Sequence, residues 1–221
     1  VTQEVAGSSP VRCAILFSPF RFPCYDTLMK LPTVLFILYL FIWSILAIQP
    51  WYPDDWLLEN VLVFISLPIV VWAHRRVTFS NESALMLFVF FLFHAIGAHY
   101  TYAEMPWFSP LSEWAGWERN HYDRLVHFLF GFLLFLPMYE LFVSYHPSRR
   151  SMMALTFTFL IAASGVYEVL EWAATQITHP ELGVAFLGIQ GDAWDAQKDM
   201  ALGYVGTLAA LILFYRRIVH R

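Results

Sequence analysis

Six apolar stretches, residues 31–48, 57–73, 83–103, 125–145, 152–174 and 199–215, make up more than half of this 221-residue chain. Each holds 17 to 23 residues, and ~20 helical residues rise the ~30 Å needed to cross the hydrocarbon core of a bilayer. A β-barrel would instead show ~10-residue segments alternating apolar and polar side chains; residues 35–42 and 85–93 do not alternate. The expected fold is therefore all-α, a polytopic bundle of six transmembrane helices. Charged residues are only 14% of the chain, against roughly 25% in an average soluble domain, which excludes a soluble globular protein. A net charge of −4 without a basic run excludes nucleic acid as a partner, and leaves the lipid bilayer as the expected one.

Residues 1–28 are expected to stand outside this domain. Residues 1–12 are polar and aperiodic, and the apolar stretch of the extension is short and interrupted by Pro10, Pro19 and Pro23, which argues against a signal peptide. Met29-Lys30 directly precedes the first apolar stretch, so Met29 is the expected start of a single transmembrane domain spanning residues 29–221. Both cysteines, Cys13 and Cys24, fall in the extension. The domain itself thus has no disulfide, no thiolate nucleophile and no cysteine metal ligand.

Basic residues favour cytoplasmic loops. Lys30, Arg75 and Arg76, Arg149 and Arg150, and Arg216, Arg217 and Arg221 fall at every second connection. The other connections hold Arg119, Arg124 and Lys198. Both termini are thus expected in the cytoplasm. Residues 29–221 then carry thirteen acids and three bases on the outer side, and two acids and eight bases on the inner side, which is −10 and +6. Trp51, Trp56, Trp107, Trp114, Trp117, Trp172 and Trp194 cluster at the outer helix ends, as amphipathic indoles prefer at an interface.

Within this frame the unusual residues are ionisable. His94 and His99 lie late in the third stretch; Asp123 and His127 open the fourth, four apart and so on one helix face; Glu168 and Glu171 close the fifth; Asp192, Asp195 and Asp199 lead into the sixth. Because successive helices run in opposite directions, all four sets land in the outer leaflet. Charges so close to hydrocarbon are costly unless paired or hydrated, and are by default functional. Six carboxylates, Asp123, Glu168, Glu171, Asp192, Asp195 and Asp199, have only Arg124 and Lys198 as neighbouring permanent cations. Imidazole with carboxylate and no thiolate suits Zn²⁺, Mn²⁺ or Fe²⁺. The candidate ligands are His99, His121, Asp123, His127, Glu168, Glu171, Asp195 and Asp199, with Glu168, Glu171 and His127 as candidate catalytic acid–base groups. Simpler roles compete: His94 as a buried hydrogen-bonding residue, and His121, Asp123 and Asp192 as helix caps. Gly131, Gly165, Gly203 and Gly206 read as close-packing positions between helices.

Four blocks, 94–102, 120–128, 167–172 and 190–200, resemble the signature blocks of the YjdF-type bacterial inner-membrane proteins. The resemblance runs from Met29 to Arg221 and implies a multi-pass protein of the bacterial inner membrane; it carries over no functional residue. The order of Asp123 to Phe128, Glu168, and Asp195 to Gly206 is similar to VanZ-like membrane proteins, which implies a place in cell-envelope physiology. The chain lacks the Gly-x-Ser-x-Gly elbow, the His-Glu-x-x-His zinc motif and the full CDP-alcohol phosphotransferase pattern. The leading expectation is an acidic, His-containing divalent-metal site near the outer leaflet, acting on a lipid or envelope precursor. The alternatives are a proton- or cation-coupled transporter, and a structural or accessory protein whose polar cluster locks helices together.

Overall fold

A computed structural model describes residues 30–146, 148–177 and 190–219. The expectation for residues 1–28 lies outside the described residues, as does most of the second long outer loop. Among the described residues there are seven α-helices and no strand: α1 Leu31–Leu46, α2 Pro53–Arg76, α3 Asn81–Tyr100, α4 Ser109–Ala115, α5 Tyr122–Val143, α6 Arg149–Ile177 and α7 Asp195–Val219. Five of them (α2, α3, α5, α6 and α7) are long and apolar enough to cross a membrane. α1 is apolar but has 16 residues, about 24 Å at ~1.5 Å per residue. The expected apolar stretches therefore correspond to α1, α2, α3, α5, α6 and α7. α4 is a short addition inside a connection read as irregular.

The helix ends follow from local chemistry. Pro53 sits in the first turn of α2, where its missing N–H costs nothing, and Asp54 and Asp55 follow at the positive end of the helix dipole. His74, Arg75 and Arg76 close the same helix at its negative end. Ser80 caps α3 by accepting a hydrogen bond from the Ser83 N–H at 3.1 Å. Asp123 and Asp195 lie in the first turns of α5 and α7, and Arg216 and Arg217 in the last turn of α7. Acids at the starts of α2, α5 and α7 and bases at the ends of α2 and α7 thus match the helix dipoles.

α5 is the centre of the bundle and packs against α3, α6 and α7; α1 and α2 lean on α3. The α5–α7 contact is the most intimate because it is a seam of glycine. A Cβ added to Gly131 would collide with the Gly203 carbonyl, and one added to Gly206 would collide with the Phe128 carbonyl. Gly165 does not share this role, contrary to expectation: a Cβ there meets only Met200 Sδ at 3.6 Å. Its neighbour Ser164 makes the tight approach, with Oγ 2.8 Å from a Cβ built on Gly203. α1 is tied down by Trp43 Nε1, which donates to Asn60 Oδ1 at 2.6 Å, and by His99 Nδ1, which donates to the Leu46 carbonyl at 2.7 Å. Large apolar side chains such as Phe41, Ile69, Leu170 and Ile212 face outward, the reverse of a soluble bundle and the surface a bilayer requires.

Gly131→Ala and Gly206→Ala should each destabilise the bundle by about 1–3 kcal/mol, the usual cost of overpacking. Gly165→Ala should be neutral, or stabilising by up to ~1 kcal/mol through helix propensity. Unfolding in mixed detergent micelles measures the three; equal losses at all three positions would contradict the seam.

Candidate functional site

One end of the bundle gathers ionisable side chains from α2, α5, α6 and α7. They stand in two layers, because each of α5, α6 and α7 carries polar residues three or four apart, one turn or ~5–6 Å along its axis. The layer nearer the helix ends contains Arg119, Asp123, Arg124, Glu171, Asp192 and Asp195. One turn deeper lie His127, Glu168 and Asp199.

Charges at the mouth are matched. Arg124 Nη2 lies 2.5 Å from Asp192 Oδ2 and 3.4 Å from Asp195 Oδ1. Lys198 Nζ adds a second contact to Asp192 at 2.6 Å. Asp192 also accepts from the Trp194 N–H at 3.1 Å, so it serves as the turn residue that leads into α7. The Lys198 ammonium, that backbone N–H and the Arg124 guanidinium hold the Asp192 carboxyl well below the usual carboxylate range. Arg119 pairs closely with Asp195 and lies 3.6 Å from Asp123. His121 Nδ1 accepts from Arg124 Nη1 at 3.3 Å; partial burial, then Arg124 and Arg119, lowers its affinity for a proton.

The mouth is held in place by an amide clamp. Asn120 N–H donates to Gln190 Oε1 at 2.9 Å, and Gln190 Nε2 donates back to the Asn120 carbonyl at 3.0 Å. The Asn120 side chain donates to the Met105 carbonyl at 2.9 Å and accepts from the Tyr122 N–H at 3.1 Å. These bonds fasten the approach to α7 onto the start of α5.

Deeper in, acid outweighs base. His127 Nε2 lies 3.5 Å from Asp123 Oδ1, and its Nδ1 lies 3.6 Å from Glu168 Oε1. Asp199 reaches the nearest guanidinium, Arg124 Nε, only at 3.9 Å. Glu168 Oε1 and Asp199 Oδ1 are buried with no hydrogen-bond partner among the described residues. Ligand atoms of Asp123, His127 and Asp199 fall within 4.8 Å of one another, as do those of His127, Glu168 and Glu171. His127 belongs to both groups.

On the α2 side, Tyr167 donates to Glu59 Oε2 at 3.5 Å. His94 is 2% exposed; its Nε2 donates to the Glu59 carbonyl at 3.2 Å, and its Nδ1 accepts from Tyr102 at 2.5 Å. Burial, then the Glu59 carboxyl, pushes the Tyr102 phenol well above its ordinary range, so it remains a donor. Gly97 makes room for this ring: a Cβ there would lie 2.7 Å from it. A cavity of about 230 Å³ opens between α2, α3, α5 and α6, with Glu59, Asp123, His127 and Glu171 on its wall.

Five of the eight candidate ligands, Asp123, His127, Glu168, Glu171 and Asp199, are thus brought together. Asp195 turns to Arg119, His121 to Arg124, and His99 to the Leu46 carbonyl. Arg119 joins Arg124 and Lys198 as a third cation, although it precedes α5 in a connection. Glu59 and Asp55 escaped the sequence reading altogether. They are four apart and almost fully buried, and that spacing at the start of an apolar stretch was the available signal.

A helical bundle with five long apolar spans and an ionisable pocket at one end defines a multi-pass membrane protein. Residues 31–220 match the family described as "Predicted membrane protein (DUF2238)", and the chain belongs to that family. Inner membrane protein YjdF of Escherichia coli (strain K12) is 32% identical over 163 residues, covering 73% of this chain and 78% of that relative. No solved structure matches the chain.

Tyr102→Phe should cost about 1–3 kcal/mol, because it leaves the buried His94 Nδ1 without its donor. A double-mutant cycle with His94→Leu, read by unfolding in micelles, should show strong non-additivity; simple additivity would mean that the two side chains do not interact.

Proposed function

We propose that this chain is an inner-membrane protein that holds a divalent cation at the outer end of α5, α6 and α7 and uses it on a lipid or cell-envelope substrate. The observation that carries this reading is the sharing of His127 by two three-ligand groups. Its support is the pair of buried carboxylate oxygens, on Glu168 and Asp199, that find no protein donor. A nitrogen–oxygen donor set without sulfur fits Zn²⁺, Mn²⁺ or Fe²⁺. Asp123, Asp199 and His127 Nε2 are the proposed ligands. Glu168 faces the other ring nitrogen and sets its tautomer and direction, the usual role of a carboxylate behind a metal-bound imidazole. A bound cation would lower the pKa of its water and polarise an oxyanion. Glu171, on the cavity wall, would then be placed to take a proton from that water, with Glu168 beside it as alternative base, while His127, with one ring nitrogen on the cation and the other toward Glu168, would serve as ligand and not as acid.

Purified protein should contain stoichiometric divalent metal by plasma mass spectrometry. Asp199→Asn and His127→Ala should lose it, Glu168→Gln should weaken binding by ~10–100-fold, and His99→Gln should keep it. Metal-free wild-type protein would remove this reading, and ion flux in proteoliposomes abolished by the same variants would replace it with transport.

The same reading has six spans, with α1 crossing first, residues 29–221 as one domain and both termini in the cytoplasm. The distribution of Lys and Arg supports it. With Cys13 and Cys24 replaced, a cysteine introduced at the exposed Ser151 should resist an impermeant maleimide in intact cells, and one at the exposed Ser109 should react. The opposite pattern would invert the topology.

A further inference from the structure

We propose that the cavity beside His127 receives one hydrocarbon chain of a lipid, admitted sideways from the bilayer past Val166 and Leu170, with an oxyanion head group held at the cation site. The head-group clause rests on the cation reading above; the chain-binding clause stands on the cavity alone.

Polarity along the cavity wall is graded in the same sense on every helix that lines it. On α2, Glu59 is followed one turn deeper by Leu62; on α3, His94 is underlain by Phe90. On α5, Asp123 and His127 give way to Phe130, and on α6, Glu171 and Tyr167 give way to Ala163. The polar end thus lies at the helix termini and the apolar end lies toward the middle of the bundle, as in a lipid with its head at the interface and its tail toward the bilayer centre. A volume of about 230 Å³ falls below the ~300–1,000 Å³ of most ligand pockets, so the space suits one chain and not a two-chain lipid whole.

The side opening is apolar. Val166 and Leu170 line the cavity yet are 57% and 58% exposed on the outer surface of α6. They are four residues apart, so they share one face, and they lie within a membrane span. A water-soluble substrate would have to cross this hydrocarbon-facing edge; a lipid tail loses nothing by doing so. Among the described residues no Lys or Arg lines the cavity, and its carboxylates repel a bare anion. An anionic head group therefore binds there only through a cation.

The test uses the full chain in nanodiscs with a long-chain alkyl phosphate bearing a diazirine at its tail tip, and a fatty alcohol with the same tail. Photolysis with Mn²⁺ present should place adducts on Leu62, Phe130 or Ala163. The double variant Val166→Trp, Leu170→Trp alters only exposed positions; it should lose those adducts while keeping its metal content. Removal of cation by EDTA should abolish labelling by the alkyl phosphate and spare the alcohol. Adducts confined to outward residues such as Phe41 or Ile212 would overturn chain binding, and unchanged labelling in the double variant would overturn lateral access. Alkyl phosphate labelling that survives EDTA would overturn the head-group clause. If the wild type holds no metal and the alcohol still labels the cavity, the cation reading fails while chain binding is upheld.

Discussion

The glycine seam between α5 and α7 is the contact on which the polar end depends. Helices in lipid gain no hydrophobic driving force from meeting each other and associate by close packing. Gly131, Gly203 and Gly206 let the two backbones touch. His127 and Asp199 stand one turn above this contact, Gly131 being four residues after His127 and Gly203 four after Asp199. Side chains on Gly131, Gly203 and Gly206 would push α7 away, and the 4.8 Å grouping of Asp123, His127 and Asp199 would open. A packing choice in the apolar interior therefore sets the geometry of the charged end.

Above the seam, position along the helix decides how each charge is compensated. Residues nearest the ends reach cations carried on connections: Arg119 precedes α5, Arg124 lies in its first turn, and Lys198 lies in the first turn of α7. Long guanidinium and ammonium side chains can approach the mouth from water. One turn deeper that supply ends, and the carboxylates meet imidazole, phenol and each other. The hydroxyls of Tyr167 and Tyr102 reach this depth from α6 and from the turn after α3. They supply donors without adding charge.

Much of this arrangement was legible in the sequence, because a run of ~20 apolar residues has few alternatives in a bilayer and alternating helix direction sorts polar residues into leaflets. The convergence of Asp123, His127, Glu168, Glu171 and Asp199 follows from those two facts. A stretch that starts at Leu57 contains Glu59 but leaves out Asp55, so the pair four apart does not show; Pro53 in fact starts the helix and draws both acids onto a buried face. Arg119 was missed because a residue in a connection is positioned by contacts distant in sequence, here the Gln190–Asn120 clamp. His99 shows what depth alone leaves open. It shares the depth of the candidate ligands, but depth along a helix does not fix the face, and its ring turns to the Leu46 carbonyl at the end of α1.

The contrast between the two layers bears on whether the cluster merely locks the helices. A lock is built from complementary pairs, and the mouth has them: Asp192 with Arg124 and Lys198, Asp195 with Arg119. At the depth of His127 a lock of ion pairs would already be a poor choice, since apolar side chains of similar volume are commonly as stabilising or more so. Here the pairing is also incomplete: Glu168 Oε1 and Asp199 Oδ1 are buried without a hydrogen-bond partner among the described residues. Each unmatched carboxylate makes the fold less stable, and nothing in the packing requires it. The proposed cation, or protons shared among these groups, would offset that excess. The wall of the adjoining cavity adds a direction to that inference. Its polarity falls away from His127 toward the middle of the bundle on α2, α3, α5 and α6, the gradient on which the proposed lipid occupant rests.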